Sequence, residues 1–465
     1  MKIEQIYTGC LSQGAYYVES DGEVAIIDPL RETETYLSKI KKEKSEIKYI
    51  FETHFHADFL SGHLDLANKS GADIVFGPGA YTDYDIIMAE DHQIFHIGKI
   101  SLQVLHTPGH TLESTCYLLR DEKGKPHALF TGDTLFIGDV GRPDLALKSS
   151  FSKEDLAGML YESLQNKIMP LSDDIIIYPA HGAGSACGKN MSSETHDLLG
   201  NQKKTNYALR ADITKSEFIN EVTNGILPPP QYFAKNALLN KSGIKSIDEV
   251  LKQGMVALEI DQFESFIKDA NALVLDTREP EEFAIGHIPN AIFIGITGSF
   301  APWVGTLISE LNQPIVFIAR EGMEKEVVIR LSRVGYDNTL GYLKGGFQTW
   351  VDADKDVQSI TSISAQNFAK QYAKRSLNIV DVRKPVEYEA ERINGAQNIP
   401  LDFINDHLEL LDKQTEYHIH CLGGYRSMIF ISLLKSRGYH QLIDVKGGIR
   451  SIKETEIPIT LTQIS

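Results

Sequence analysis

Thr53-His54-Phe55-His56-Ala57-Asp58-Phe59 follows the apolar run Tyr49-Ile50-Phe51, and its reading decides the fold. Two imidazoles two residues apart, with a carboxylate two residues further on, cannot all reach one ion from a regular helix. They can from a loop that leaves a strand. Three later stretches share this character: Thr107-Pro108-Gly109-His110, Thr131-Gly132-Asp133-Thr134 and Tyr178-Pro179-Ala180-His181-Gly182. Each stands at a turn beside an apolar run, at residues 102–105, 128–130 and 175–178. Nitrogen and oxygen donors gathered from several strand ends suit a borderline divalent ion.

The order and wording of these loops resemble the metallo-β-lactamase fold, an αββα sandwich that includes glyoxalase II and the persulfide dioxygenases. Hydrolases of this fold usually carry HxHxDH, whose Asp and last His hold a second metal. Here that last position is Phe59, and a phenyl ring cannot ligate. The resemblance therefore implies the single-iron arrangement of the persulfide dioxygenases. His54, His110 and Asp133 would form a two-His, one-carboxylate face with positions open for a substrate thiolate and O2. His56, Asp58 and His181 would stand behind it, orienting ligands or holding water. His63, His92, His96, His106 and His196 sit in no such motif and read as surface or internally satisfied histidines.

The chain has 465 residues, enough for several cores. Its net charge of −17 opposes binding to phosphate backbones, so nucleic acid is not an expected partner. Met1-Lys2-Ile3-Glu4-Gln5-Ile6-Tyr7 has no basic region followed by an apolar core, and no run approaches the roughly 20 apolar residues that cross a bilayer. A cytoplasmic protein without membrane contact, and a homo-oligomer, is expected. Four cysteines, Cys10, Cys116, Cys187 and Cys421, show no close pairing pattern and argue against a disulfide framework.

Short apolar strands alternate with turns and helical stretches over residues 1–250: a strand at 24–28, a charged helix at 34–44, and an amphipathic helix at 153–165. Pro228-Pro229-Pro230 stops any helix, and the first domain is expected to end near Lys252. Beyond it the chain repeats. Leu275-Asp276-Thr277-Arg278-Glu279-Pro280 returns as Val380-Asp381-Val382-Arg383-Lys384-Pro385, an offset of 105 residues from Asp276 to Asp381. Lys344-Gly345-Gly346 returns as Lys446-Gly447-Gly448. Two consecutive α/β domains with parallel sheets follow, at 251–355 and 356–465. Their signatures resemble rhodanese (sulfurtransferase) domains.

In the second copy, His418-Ile419-His420 leads into Cys421-Leu422-Gly423-Gly424-Tyr425-Arg426 and then an apolar helix. A cysteine at a strand end, before a glycine-rich loop that opens a helix, sits among backbone N–H groups that favour a thiolate. Gly423 and Gly424 would supply part of a cradle for a persulfide, and Arg426 would fix the loop or an oxyanion. Four residues lie between Cys421 and Arg426, against five in the related phosphatases, whose cradle is wider. The first copy runs instead through Ala319-Arg320-Glu321-Gly322-Met323 without any cysteine, which implies a degenerate rhodanese with a packing or positioning role.

Cys10 and Cys116 lie in strand-like apolar surroundings and read as small core residues. Cys187, on a small-residue loop that leaves the metal site, either lines the substrate path, binding or exchanging sulfur, or is merely buried. Arg142 and Lys189 either bind carboxylates or phosphates of a thiol carrier or serve as structural ion pairs.

The layout resembles bacterial fusions of a persulfide dioxygenase with one inactive and one active rhodanese. It implies an enzyme with one Fe(II), zinc being the alternative, that oxidises a low-molecular-weight thiol persulfide with O2 to sulfite and thiol. Sulfur transfer at Cys421 would form or use thiosulfate. Two other readings stay open: a glyoxalase II-like zinc thioester hydrolase with accessory rhodanese domains, and a non-enzymatic persulfide relay or sensor.

Overall fold

The computed structural model describes residues 1–145, 151–189 and 191–461, folded as two compact units. The first comprises Met1–Glu249 with Leu331–Gly335; the second comprises Val250–Arg330 with Tyr336–Ser465.

Two six-stranded sheets form the first unit. One runs β1 (Lys2–Thr8), β2 (Gln13–Ser20), β3 (Glu23–Ile27), β4 (Glu46–Phe51), β5 (Asp73–Phe76), β6 (Ile87–Met88), in that order. The other holds β7 (Ile94–Ile97), β8 (Ile100–His106), β9 (Thr115–Arg120), β10 (Pro126–Gly132), β11 (Ile176–Pro179) and β12 (Asp197–Leu198), each beside its neighbour in sequence. Strands buried on both faces must be apolar at every position, and side-chain alternation then divides them between two cores. In β9, Tyr117 and Leu119 point between the sheets, where they meet Tyr16, Phe51, Leu102 and Phe130. Cys116 and Leu118 point to the outer face, against Leu160 and Phe218 of helices Lys153–Ser163 and Lys215–Thr223. Tyr17, Ile26 and Ile50 face outward from the first sheet onto Tyr36 and Leu66 of helices Glu34–Glu43 and His63–Ser70. The result is helix, sheet, sheet, helix, the expected αββα sandwich.

The helix expected at 34–44 ends at Glu43 because Lys44 takes the left-handed conformation, φ 55°, and caps it. The one expected at 153–165 is α-helical through Ser163 and continues as a π-turn over Leu164–Ile168.

The second unit holds the repeat. Its first copy has five strands, β13 (Ala257–Leu258), β14 (Leu273–Asp276), β15 (Ile292–Phe293), β16 (Ile315–Ile318) and β17 (Thr339–Leu343), in the order β13-β17-β16-β14-β15. The second copy reproduces it: β18 (Thr361–Ile363) and β19 (Ile379–Asp381) come first. β20 (Glu391–Ile393) stands outside the sheet. β21 (Ala396–Asn398), β22 (Tyr417–His420) and β23 (Leu442–Val445) complete the order β18-β23-β22-β19-β21. β20 pairs with β24 (Ile459–Leu461) instead. All pairings inside both five-stranded sheets are parallel.

The repeated Asp-x-Arg turn has one geometry in both copies. Arg278 donates from Nε to Asp276 Oδ1 at 2.9 Å and from Nη2 to Oδ2 at 2.6 Å. Arg383 does the same to Asp381 at 2.9 and 2.6 Å. Each pair is buried, so neither charge could be left alone without a large penalty. Among the described residues, no helix is long and apolar enough to cross a membrane.

Candidate metal centre and cysteine loop

Four strand ends carry the four loops that the sequence singles out. His54 and His56 follow β4, His110 follows β8, Asp133 closes β10 and His181 closes β11. The loops can approach because Gly132, at φ 52°, passes so close to Thr53 that a Cβ would lie 2.6 Å from its side chain.

His54, His110 and Asp133, all buried, each offer one donor atom, and the three atoms lie within 4.8 Å of one another. Their hydrogen bonds show what those atoms carry. His110 Nδ1 faces the Arg142 carbonyl at 2.8 Å, so it bears the proton and leaves Nε2 a lone pair. Thr53 gives its hydroxyl proton to Asp28 Oδ2 at 2.9 Å and so accepts from His54 Nδ1, also at 2.9 Å. His54 Nε2 is then a lone pair as well. Asp133 Oδ2 lies 3.4 Å from His110 Nε2 and 3.8 Å from His54 Nε2. Neither His110 Nε2 nor Asp133 Oδ2 has a hydrogen-bond partner. Three electron pairs turned on one point inside a protein repel, and a cation removes the conflict. The donor set therefore fits a metal ion.

Protonation follows the same pattern. Burial holds His54 and His110 neutral, below the ordinary histidine range. For Asp133 burial acts the other way, but His181 and then His54 hold it well below the carboxylate range.

His181 spans two carboxylates. Its Nδ1 is 2.7 Å from Asp133 Oδ1 and its Nε2 is 2.8 Å from Asp58 Oδ2. Burial disfavours the imidazolium, yet Asp133 and Asp58 raise its pKa well above normal. His181 Nδ1 thus occupies Asp133 Oδ1, and Asp133 keeps only Oδ2 for an ion. His56 is drawn the other way: its Nε2 lies 3.1 Å from Asp28 and 3.3 Å from Glu52. Against burial, these two acids push it up to about 10. His56 thus gathers with Asp28 and Glu52, apart from the three convergent donors. Phe59 packs on its ring at 4.3 Å between centroids.

Sequence reasoning missed Asp28 and Glu52. Glu52 also meets His63 Nδ1 at 3.1 Å and accepts from the Ser61 hydroxyl. His63 is thus an internal histidine, its Nδ1 beside Glu52 and its Nε2 bonded to the Tyr84 hydroxyl at 2.7 Å. His92, His96 and His196 are exposed, and His106 is half-buried.

Cys187 is buried, its sulfur within 4.8 Å of donor atoms of Asp58 and His181. Burial, then Asp58 and Asp133, push its thiol pKa well up. Arg142 commits its guanidinium inward, to Asp144 at 2.6 and 2.8 Å and to the carbonyls of Ala186 and Leu227. Lys189 Nζ donates to the carbonyls of Glu221 and Asn224 at the end of helix Lys215–Thr223. Of the two readings of these cations, the structural one describes their contacts. Cys10 corrects an expectation: it is half-buried, not a core residue, whereas Cys116 is in the core. None of the four cysteines forms a disulfide.

In the second copy, Cys421 follows β22, and helix Tyr425–Ser436 opens after Gly424 at φ 107°. The Gly424 N–H donates to Cys421 Sγ at 3.0 Å, and the Ser427 hydroxyl is 3.7 Å from the sulfur. Gly448 must be glycine: at φ 57° its Cβ would fall 2.3 Å from the Cys421 carbonyl oxygen. Arg426 meets Glu387 through both carboxylate oxygens, at 2.6 and 2.8 Å. Of the two tasks expected of Arg426, fixing the loop is the one these contacts describe. Glu387, Ser427 and Asp444, which accepts from Ser427 at 2.9 Å, were not foreseen. The first copy keeps a counterpart: Arg320 pairs with Glu282 at 2.8 Å, although the cysteine is gone.

The metallo-beta-lactamase superfamily matches residues 8–75 and 70–181, and the rhodanese-like domain matches 259–353 and 364–455. The chain is 30% identical over 206 residues to the probable hydroxyacylglutathione hydrolase glo2 of Schizosaccharomyces pombe, covering 39% of this chain and 75% of that protein. It is 31% identical over 214 residues to the mitochondrial persulfide dioxygenase ETHE1 of Homo sapiens, covering 45% and 74%. Among solved structures, a metallo-beta-lactamase from Staphylococcus aureus subsp. aureus COL superposes with a TM-score of 0.65 at 32% identity, over 74% of this chain and 98% of that one.

Proposed function

Because this chain belongs to the metallo-β-lactamase superfamily and carries two rhodanese-like domains behind that fold, we propose that it is a persulfide dioxygenase coupled to a sulfurtransferase. The reaction is R–S–SH + O2 + H2O → R–SH + sulfite + 2 H+. His54, His110 and Asp133 would hold one Fe(II). When bound, that ion would supply the redox chemistry that a closed-shell zinc lacks.

One observation carries the single-ion reading: His181 stands between two carboxylates, hydrogen-bonded to Asp133 through Nδ1 and 2.8 Å from Asp58 through Nε2. The His181 cation joins Asp58 to Asp133, and Phe59 stands where another ligand would be needed. The chain's residues do the rest by placement. His110 is held in one tautomer by the Arg142 carbonyl, and His54 by the Thr53–Asp28 pair. His181 keeps Asp133 ionised and turned. Burial of all three donors excludes water and lengthens the reach of these charges.

Sulfite leaving the first site is an acceptor for the second. Cys421 takes the outer sulfur of a persulfide and passes it to sulfite, forming thiosulfate, or runs the reverse. Gly424 N–H and Ser427 hold the sulfur in place. The test is anaerobic purification with metal analysis, followed by oxygen uptake with a persulfide. One iron per chain and oxygen consumed with sulfite or thiosulfate as product support the proposal.

The likeness to the Schizosaccharomyces pombe hydrolase supports a zinc thioester hydrolase as a second reading. Two zinc ions per chain, thioester cleavage and no oxygen uptake would establish it in place of the first.

A further inference from the structure

The cysteine-less copy is built into the surroundings of the other copy's loop. Tyr425, the residue after Gly424, donates its hydroxyl to the Gly295 carbonyl of the first copy at 2.7 Å. Its ring meets Phe293 at 5.9 Å, and the Phe293 N–H donates to Ser432 Oγ at 3.0 Å. Beside this contact lies a cavity of about 350 Å³. Gly423, Gly424, Met428 and Lys446 line it from the second copy, and Glu281 and Ile285, on helix Pro280–Ile285, from the first.

This cavity is several times larger than a sulfite or thiosulfate ion and is of a size that holds small organic ligands. Its walls are mixed. Met428 is buried and Ile285 is 82% exposed, so an aliphatic surface is available. Glu281 and Lys446 bring opposite charges, and among the described residues neither side chain has a hydrogen bond or an ion pair. Asp444 lines the cavity as well: burial raises its carboxyl pKa, its bonds with Ser362 and Ser427 and the charge of Lys446 lower it, and Glu281 raises it. Glu281 and Lys446, neither held in a direct ion pair among the described residues, flank an aliphatic wall and fit a molecule that bears both signs.

We propose that this cavity binds the organic part of a low-molecular-weight thiol carrying both an ammonium and a carboxylate. Glu281 of the cysteine-less copy takes the ammonium, and Lys446 takes the carboxylate. This rests on Cys421 being the sulfur acceptor. The step is R–S–SH + Cys421–S⁻ → R–S⁻ + Cys421–S–SH. The thiolate attacks the outer sulfur, a new S–S bond forms, the old one breaks, and R–S⁻ leaves with the electron pair. No net oxidation occurs. The first copy thus selects the substrate that the second copy consumes.

The test uses the full chain without oxygen, with sulfite as acceptor and thiosulfate formation as readout, after subtraction of the Cys421→Ser rate. Cysteine persulfide is compared with 3-mercaptopropionate persulfide, which lacks the ammonium. In Glu281→Lys, the ratio of kcat/KM for the first over the second should fall about fivefold to tenfold, the scale of one exposed ion pair turned to repulsion. Glu281→Asp should restore most of the ratio. An unchanged ratio, or parallel loss for both persulfides, overturns the proposal. Wild-type turnover of thiosulfate with cyanide separately reports whether Cys421 transfers sulfur; its absence, with no persulfide turnover, removes the premise rather than the selectivity.

Discussion

Thr53→Val tests the tautomer argument at the metal centre with the least change in shape. The hydroxyl that accepts from His54 Nδ1 and donates to Asp28 Oδ2 is replaced by a methyl group of similar volume. The packing of Gly132 against this side chain is kept. Two buried groups lose a partner: a ring N–H and one carboxylate oxygen. Each such loss costs about 1–3 kcal/mol, so the metal-free protein should lose roughly 2–6 kcal/mol. Asp28 keeps the Thr53 N–H at 2.8 Å and His56, which places the effect towards the lower end. His54 is no longer held in the Nδ1–H form, and metal affinity should fall about tenfold to a hundredfold. Denaturant unfolding of chelator-stripped protein measures the first effect. Competition titration of Fe(II), or of Zn(II) as a redox-inert probe, measures the second. Thr53→Ser, which keeps the hydroxyl, should recover both. Unfolding and metal affinity both within about threefold of wild type, expressed as equilibrium constants, would refute the reasoning.

Asp133→Ala should abolish iron retention and oxygen uptake while the turnover of thiosulfate with a thiol survives. Metal analysis and an oxygen electrode check this, and loss of both activities in folded protein would contradict separate sites. Cys421→Ser should do the reverse, leaving oxygen uptake and shifting the product from thiosulfate towards free sulfite. His287 gives a pH effect on the second unit. Burial lowers its pKa from 6.5 to about 4, with the Phe283 carbonyl acting the other way. A histidine depressed by folding stays neutral in the native state, so stability is full above pH 6.5 and is lost as pH falls towards 4. The loss is up to about 3 kcal/mol. His287→Gln should flatten the unfolding free energy of the second unit over that window; an unchanged slope would show that the ring is not responsible.

The four candidate ligand loops were legible because turn residues and ligand types coincide at strand ends, and the repeat because Asp-x-Arg recurs after 105 residues and Lys-Gly-Gly after 102. What stayed hidden were single acids. Asp28 merely ends an apolar strand, with its partners Thr53 and His56 at least 25 residues away; Glu52 stands four residues before His56, but directly after an apolar run it carried no ligand-like spacing. Glu387 could have been found. It matches Glu282 at the repeat's own offset, and both meet an arginine of the loop that follows the central strand. Arg142 and Lys189 show the opposite difficulty. A cation beside a ligand loop looks like a substrate anchor until its partners are seen, and here these are carbonyls and Asp144.

The two copies also show which parts of a repeated domain can be given up separately. The buried Asp-Arg pair serves the turn after the strand, and loss of either partner would strand a charge in the core, so it persists in both. The arginine and acid beside the loop persist too, at the surface in the first copy and half-buried in the second. The nucleophile was free to go, Ala319 standing in its place after the strand, while Gly322, at φ 85°, still precedes the helix. A similar economy governs the metal centre. On the proposed single-ion reading, His181, whose pKa the two carboxylates raise well above normal, would bring the positive charge that an extra ion would otherwise supply. On that proposed reading, Asp58 neighbours the site through His181 rather than binding the ion, and Phe59 packs on His56 in place of a further ligand.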